Sequence, residues 1–276
     1  MNNTFYKEVA DFKRQQEYTL PNAARARHIA RRLFELLFVH RNEADSTELE
    51  LKAQLRKLEK QLQVLLYNIL PDKAESQQQA ALFFEQLAGI YRRLLLDAHA
   101  ILEADPAAHD LLEVLIAYPG FFAIAIHRFA HQLHLQGISL LPRVLSEYVH
   151  SKTGIDIHYA AIIGDAFAID HGTGIVIGET SRIGNNVIIY QGVTLGALNV
   201  IKANAAKKRH PTIEDNVVIY SGTTILGGDT VVGRDSVIGG NVWLTRSVPS
   251  FSVVFQQASI SVQDKRSFVE PYNFFI

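Results

Sequence analysis

The 276-residue chain lacks cysteine, a strong net charge and any long apolar run. Without cysteine it has no disulfide, no thiolate metal ligand and no cysteine nucleophile. A formal net charge of -1 provides no broad attraction to nucleic acid or to an anionic membrane. The sequence starts with polar residues of mixed charge, unlike a secretory leader, and no run of about 18 apolar residues follows. We therefore expect a cytoplasmic protein without nucleic-acid or membrane partners.

The composition changes near residue 150, and the pattern before that point is helical. One apolar stripe repeats at alternating spacings of four and three, at Leu51, Leu55, Leu58, Leu62, Leu65 and Ile69. This spacing predicts a helix that is capped by Asp45 or Ser46 and ends before Pro71. Further amphipathic segments lie at about 22–40, 76–103, 106–116 and 120–135. We predict an α-helical bundle over residues 1–150, with the leucine stripe as ordinary bundle core.

After residue 150 a six-residue repeat of branched aliphatic residues replaces the helical period. Its members are Ile157, Ile163, Ile169, Ile175, Ile183, Ile189, Leu195, Ile213, Ile219, Ile225, Val232 and Ile238. A repeat this short cannot bury its apolar face alone, so it predicts stacked coils of three short strands each, a parallel β-helix. We assign this β-helix to residues 151–255, with an excursion loop at 196–212 and a tail at 256–276. The fold class is therefore α+β.

Several motifs inside and before this repeat resemble one family. In order, they are DPAA, YPGFFAIAIHRFAH, TGIDIHYAAIIG, IDHGTGIVIGET, YQGVTLG and KRHPTI. They resemble the serine O-acetyltransferases, which are hexapeptide-repeat acyltransferases, over roughly residues 105–250. The resemblance implies a left-handed β-helix. It also implies acetyl transfer from acetyl-CoA to the hydroxyl of L-serine, which gives O-acetyl-L-serine for cysteine biosynthesis.

The resemblance implies that His171 is the catalytic base and Asp156 the acceptor that orients it. Removing a proton from an alcohol at neutral pH requires a base, and histidine, with a reference pKa near 6.5, is the usual choice. The other ring nitrogen needs an acceptor that fixes the tautomer. Fifteen residues separate the two positions, so in an ideal coil of eighteen they are three residues out of stack. The spacing alone therefore does not establish the pair.

The same resemblance implies a serine site and a coenzyme site. Asp105 and Asp170 would hold the substrate amino group, and Arg209 and His210 its carboxylate, for which a guanidinium fork is suited. A cap at a helix start is the ordinary alternative for Asp105 in its Asp-Pro pair.

For the coenzyme, backbone amides of Gly196 and Ala197 are candidates for holding the oxyanion, and Lys208, with Lys202 and Lys207, for attracting its phosphates. The chain departs from the family where Ala197 follows Gly196 in place of a Gly-Gly-Thr-Gly run. It departs again after Pro249, where the segment that normally borders coenzyme A differs. No permanently bound cofactor and no metal are expected.

The family also implies partners. We expect a homo-oligomer, a trimer or a hexamer of two stacked trimers, with active sites between neighbouring β-helices. L-Cysteine is expected to inhibit by occupying the serine site. The last residue, Ile276, suggests a contact with cysteine synthase, against a tail that packs on its own oligomer.

Three alternatives stay open on the residues alone. A hexapeptide acetyltransferase that acts on a sugar or amino sugar would share the coil, the histidine and the acetyl donor but would not need Asp105 or the Arg209–His210 pair. A metal enzyme of the γ-carbonic anhydrase kind is suggested by His158, His171 and His210. However, no two histidines lie five positions apart in the repeat region. The third alternative is a structural β-helix without activity.

Overall fold

A computed structural model describes residues 3–14, 22–39, 47–70, 72–198 and 207–257. The remaining positions include Lys202 and Ile276, so the predictions made for these two residues lie outside the described residues.

The N-terminal part of the described chain is helical. Its helices are α1 (Asn3–Arg14), α2 (Ala23–Phe38), α3 (Glu48–Leu66), α4 (Lys73–Ala104), α5 (Leu111–Ala117), α6 (Pro119–Leu135) and α7 (Leu141–Thr153). The predicted stripe on α3 turns its Leu58, Leu62 and Leu65 into the core. The cap differs from the prediction, because Thr47 is the N-cap and its Oγ1 accepts a 3.3 Å hydrogen bond from the Glu50 N–H.

Two helices, α1 and α7, were not anticipated from the sequence. α7 begins with a proline in its first turn and ends at Gly154, whose left-handed φ of 70° is the usual glycine stop signal. It packs mainly on α6 and leads directly into the first strand.

In the described residues after α7, fourteen short strands form three parallel sheets. The strands are β1 (Asp156–Ile157), β2 (Ile162–Ile163), β3 (Ala168–Ile169), β4 (Val176–Ile177), β5 (Arg182–Ile183), β6 (Ile188–Ile189), β7 (Thr194–Gly196), β8 (Thr212–Ile213), β9 (Val218–Ile219), β10 (Thr224–Leu226), β11 (Val231–Val232), β12 (Val237–Ile238), β13 (Trp243–Leu244) and β14 (Val253–Val254). Sheet 1 has the order β1-β4-β7-β10-β13, sheet 2 β11-β8-β5-β2, and sheet 3 β14-β12-β9-β6-β3. Each sheet takes every third strand up to β11, as stacked coils require, and the predicted fold class is confirmed.

The register corrects one detail of the predicted repeat. Among the predicted repeat members, Ile175 and Ile183 are eight residues apart instead of six, which places the irregularity after Ile175. In the structure Ile157 stacks on Ile177, twenty residues later, whereas Ile177 stacks on Leu195 after eighteen. The two extra residues therefore lie between Ile169 and Ile177, in the turn that carries Asp170 and His171.

A buried ion pair joins the helices to the first coil. Arg128 of α6 donates two 2.6 Å hydrogen bonds to Asp97 of α4 and a third, of 2.8 Å, to the Gly164 carbonyl. The Asp97 carboxylate also accepts the backbone N–H of Phe167 at 2.9 Å. Nearby, Arg93 binds Asp165 and the Ile163 carbonyl. These contacts hold the ends of α4 and α6 beside the first coil.

None of the described helices is by itself long and apolar enough to cross a bilayer. Among them, only α5 and α6 taken together are long and apolar enough, and the chain bends by 69° between these two helices.

Candidate functional site

The predicted site residues of the coil lie mainly on two of its three edges. The His171 corner is the edge between sheets 3 and 1, made by residues 170–175, 190–193, 220–223 and 239–242. The His210 corner is the edge between sheets 1 and 2, made by residues 158–161, 178–181, 197–198, 207–211 and 227–230. Sheet 1 separates the two corners.

The turn that holds His171 is narrow and lies against the coil. His171 has a φ of 57° and Gly172 a φ of 85°, and the Gly172 N–H bonds to the Asp170 carbonyl at 2.7 Å. A Cβ on Gly172 would clash with the Ile155 side chain, so only glycine fits there. The His171 side chain is 72% exposed, whereas that of Asp170 is 12% exposed. The imidazole is therefore displayed on the rim, as a base that must reach a substrate requires.

The His171 ring is within ion-pair distance of Asp170, whose Oδ2 lies 3.8 Å from the ring Nε2. Asp156 lies on β1 and stacks on Val176, and its backbone N–H bonds to the Ile175 carbonyl. Among the described residues no hydrogen bond joins Asp156 to His171. The pairing of these two side chains stays a prediction.

The helical part contributes Asp105 to the His171 corner. Asp105 ends α4, and its carboxylate accepts hydrogen bonds from the Tyr118 hydroxyl at 2.6 Å and the Ala107 N–H at 2.8 Å. These two hydrogen bonds, helped by the nearby charge of His171, lower the pKa of Asp105. The hydrogen bond between Tyr118 and Asp105 also raises the pKa of the Tyr118 hydroxyl to about 12. A permanent carboxylate is thus held close to the imidazole.

Gly120 explains how the helices approach this corner. A Cβ at Gly120 would lie 2.5 Å from the carbonyl oxygen of Ile169, the residue that precedes Asp170. Only glycine allows the first turn of α6 to pack against the end of β3. Because Tyr118 immediately precedes α6, this close approach places its hydroxyl, and with it Asp105, near Asp170 and His171.

Two tyrosines complete the His171 corner. The rings of Tyr190 and Tyr220, from successive coils, stack 4.9 Å apart at 10°. Burial raises the pKa of Tyr190, and so do Tyr220 and the carboxylates of Asp170 and Asp105. Tyr118 and Tyr190 begin two of the motifs that resemble the family, but no role was predicted for either, because their partners Asp105 and Tyr220 are distant in the chain.

His210 is seated inside the other corner. Its Nδ1 accepts the backbone N–H of Thr180 at 3.0 Å and lies 2.9 Å from the Thr180 hydroxyl. A Cβ on Gly178 would clash with the His210 ring, so that glycine makes room for it. Burial and, next, the charge of Arg209 lower the pKa of His210 to about 4. His210 is therefore a neutral side chain at physiological pH.

Arg209 lies beside His210 and forms an ion pair with Glu179. Burial acts to raise the pKa of Glu179, but the hydrogen bond from Arg209 and the charge of His158 lower it overall. Lys208 was a candidate for coenzyme phosphates. Its ammonium group instead donates to the backbone carbonyls of Thr180 and His210. Binding of a phosphate by Lys208 stays a prediction, and it would have to compete with these two bonds.

The excursion loop leaves the coil at the His210 corner, after Gly196 and Ala197, and residues 199–206 within it are not described. The predicted loop at 196–212 thus interrupts the coil between sheets 1 and 2, on the other side of sheet 1 from His171. Within the described residues, the Ala197 N–H donates to no protein acceptor. Its role in holding an oxyanion stays a prediction.

His158 belongs to the His210 corner and has no metal-like surroundings. Its Nε2 accepts from Arg143 at 2.8 Å, and its Nδ1 lies 3.1 Å from the Ala160 N–H. Burial and the Arg143 charge lower the pKa of His158 to about 4. No group of three His, Asp or Glu side chains in the described part of the chain could hold a metal ion.

Comparison with known proteins gives one consistent family. No protein-family model matches the chain. A plasmid-encoded serine acetyltransferase of Synechococcus elongatus is 52% identical over 182 residues, which cover 63% of this chain and 56% of that protein. The serine acetyltransferase of Bacillus subtilis is 45% identical over 164 residues, 59% of this chain and 73% of that protein. The aligned region thus spans little more than half of the first relative.

Solved structures agree with these relatives. Serine acetyltransferase isoform 3 of Entamoeba histolytica, in complex with cysteine, has a TM-score of 0.77 and 34% identity over 86% of this chain and 84% of that one. The Neisseria gonorrhoeae enzyme in complex with serine has a TM-score of 0.61 and 27% identity, over 91% and 88%. A serine acetyltransferase in complex with CoA has a TM-score of 0.58 and 29% identity, over 84% and 97%.

Proposed function

Because this chain belongs to the serine acetyltransferase family, we propose that it transfers the acetyl group of acetyl-CoA to the hydroxyl of L-serine. The products are O-acetyl-L-serine and coenzyme A. Acetyl-CoA is a co-substrate, and the proposal requires no permanently bound cofactor. The complexes of related enzymes with serine and with CoA support this choice of substrates.

The exposed imidazole of His171 beside two acidic side chains is the observation that carries the proposal. The neutral ring takes the serine hydroxyl proton while the oxygen attacks the thioester carbonyl, and a tetrahedral intermediate forms. Its oxyanion would be held by backbone N–H groups, for which Gly196 and Ala197 are the candidates. Collapse of the intermediate expels the thiolate of coenzyme A, which takes the proton from the imidazolium. Asp156 would orient the ring and stabilise its charged form.

The acidic residues of the His171 corner suit the amino group of serine. The hydrogen bond from Tyr118 favours the ionised form of Asp105. Asp170 is buried at the base of the turn that carries His171. Two carboxylates favour an ammonium ion over a neutral sugar hydroxyl, so the acceptor is expected to be an amino acid. This charge preference favours serine over the sugar alternative.

A single chain does not bring Arg209 and His210 to this position. The four residue steps from Gly174 to Gly178 span sheet 1, and at about 3.3 Å each they separate the two corners by roughly 13 Å. A molecule as short as serine does not reach across that distance. We therefore propose that the His210 corner of a second copy meets the His171 corner of the first. Repeating this contact around a ring gives the trimer expected from the family, and pairing of the helical parts gives the hexamer.

Three further expectations remain, and only the first depends on the same site. L-Cysteine, which differs from serine only at the reacting atom, would occupy the serine position and inhibit, and an Entamoeba histolytica relative has been solved with cysteine. Contact of Ile276 with cysteine synthase and a cytoplasmic location stay predictions from the sequence.

The proposal is tested by measuring coenzyme A release from acetyl-CoA with L-serine present and absent. Release that depends on serine, together with O-acetylserine in the product mixture, is expected. If coenzyme A is released with a sugar or amino sugar and not with serine, the chain is instead a hexapeptide acetyltransferase that acts on sugars. Light scattering of the same sample gives the oligomeric state.

A further inference from the structure

We propose that Gly178, Glu179 and Thr180 form a positioning element that orients Arg209 and His210 for the substrate carboxylate. This inference rests on the proposed function, because it assigns the three residues to carboxylate recognition in serine acetyl transfer. None of the three needs to touch the substrate. They act through the two residues that do, and each has a separate contact with them.

Thr180 sets the protonation of the His210 ring. The Thr180 hydroxyl accepts the backbone N–H groups of Arg209 and His210, at 2.9 and 3.0 Å. With those two bonds made, the hydroxyl hydrogen is left for His210 Nδ1, 2.9 Å away, which the Thr180 N–H also approaches. Nδ1 thus faces two donors and carries no hydrogen itself. The neutral ring must then carry its hydrogen on Nε2, the nitrogen available to donate to a carboxylate.

Glu179 and Gly178 position the two side chains. Glu179 forms an ion pair with Arg209, which fixes one end of the guanidinium fork and so sets its orientation. Gly178 makes room for the His210 ring, because a Cβ there would overlap it. One turn of the second coil, between β4 and β5, therefore determines the backbone position, rotamer and tautomer of a pair about thirty residues away in sequence.

The side chains involved are partly enclosed within the single chain. His210 is 8% exposed, and the side chain of Arg209 is 23% exposed. In such surroundings a lost acceptor is not replaced freely by water, so removal of the Thr180 hydroxyl should shift the loop that carries both residues. The shift should affect recognition of the carboxylate and leave the chemistry at His171 in place.

The test compares Thr180→Val, which removes the hydroxyl at nearly constant volume, with Thr180→Ser, which keeps it. The matched control is Thr230→Val, on the same His210 corner, where a buried hydroxyl donates to the Leu226 carbonyl at 2.7 Å and contacts neither Arg209 nor His210. Each variant is assayed as the full-length oligomer with L-serine and with ethanolamine, an amino alcohol that lacks the carboxylate.

For Thr180→Val we expect kcat/KM for L-serine to fall by about 10- to 100-fold, mainly through KM. Its kcat/KM for ethanolamine and its KM for acetyl-CoA should stay within about twofold of the wild-type values. Thr180→Ser should retain most of the serine activity, and Thr230→Val should retain all of it. The preference for serine over ethanolamine is the readout that a purely structural role would not change.

Two results would overturn the assignment. In the first, Thr180→Val leaves the preference for serine over ethanolamine unchanged. In the second, it lowers kcat/KM for both substrates by the same factor, as a loss of folded enzyme does. Failure of the proposed function is distinguishable from either, because the unmodified protein would then acetylate neither substrate.

Discussion

The Tyr118 hydroxyl donates a 2.6 Å hydrogen bond to the carboxylate of Asp105, and so links the start of α6 to the end of α4 at the His171 corner. The bond holds one carboxylate oxygen in place and lowers the pKa of Asp105. It fixes the carboxylate that the helical part contributes to the proposed serine site.

Tyr118→Phe removes this bond and little volume. The pKa of Asp105 should rise toward its ordinary value, and KM for serine should increase by about three- to tenfold, since hydrogen bonds to charged groups are stronger than neutral ones but this one is partly solvated. Steady-state kinetics at pH 7 measures the change. The control is Tyr67→Phe, at an exposed position at the end of α3, which should leave KM for serine unchanged. An unchanged KM in Tyr118→Phe would separate Asp105 from serine binding.

His171→Asn tests the proposed base. Asparagine tolerates the positive φ of this position, and the side chain is 72% exposed, so the fold should not change. We expect kcat to fall by about 10²- to 10⁴-fold, the usual contribution of a positioned base. His150→Asn, a half-exposed histidine on α7, should keep full activity. If His171→Asn retains the wild-type kcat, another group is the base.

Gly178→Ala should displace the His210 ring, because the added methyl group would overlap it. We expect a large increase in KM for serine, and a lower melting temperature, since the ring is packed against the corner. Gly89→Ala is the matched control, because nothing lies within 4 Å of a Cβ at that helical position. There alanine should stabilise α4 by about 0.5–1 kcal/mol. If the two variants have the same KM for serine and the same melting temperature, the His210 ring moves aside without loss of stability or of substrate binding.

The buried pair of Arg128 and Asp97 should be the most sensitive contact between helices and coil. Arg128→Leu leaves the Asp97 carboxylate, which is fully buried, without its counterion. The free energy of unfolding should fall by about 3–5 kcal/mol. Arg93→Leu removes a half-exposed ion pair with Asp165 in the same region and should cost no more than about 1 kcal/mol. Urea unfolding monitored by circular dichroism measures both, and similar losses in the two variants would contradict this ranking.

Stability should decrease as the pH falls from about 6.5 to 4. In the folded protein the pKa of His158 and of His210 is about 4, whereas in the unfolded chain each has its ordinary value of 6.5. Between these values the unfolded chain binds more protons, so acid favours unfolding. The lowered pKa values of Asp105 and Glu179 act in the same direction, at lower pH. Melting temperatures measured from pH 7.5 to 4.5 test this, and replacing His158 by glutamine should flatten the slope. A constant melting temperature over this range would show that neither histidine is buried neutral.

Local patterns were enough to predict the type of each large part of the chain. The leucine stripe of α3 and the six-residue repeat of the coil are periodic, and periodicity depends only on which residues must face inward. The sequence also showed that the repeat contains a two-residue irregularity, but it placed this after Ile175, and only the strand register located it between Ile169 and Ile177. Helix α7 was missed because a proline near its start and few apolar repeats make it a weak pattern. The division into domains at residue 150 stays a prediction.

The identity of the chemical residues came from motifs, and their arrangement came from the tertiary structure. The sequence by itself determined a helical part, a coil of stacked strands and a histidine in a glycine-rich turn, because each follows from neighbouring residues. Only the tertiary structure decided that Asp105 reaches His171 through Tyr118, that Thr180 holds His210, and that the two halves of the proposed site lie on different edges of the coil. These relations join residues that are 13 to 66 positions apart in the chain. They depend on the number of residues in each coil and on how closely α6 packs against β3, neither of which a local pattern specifies.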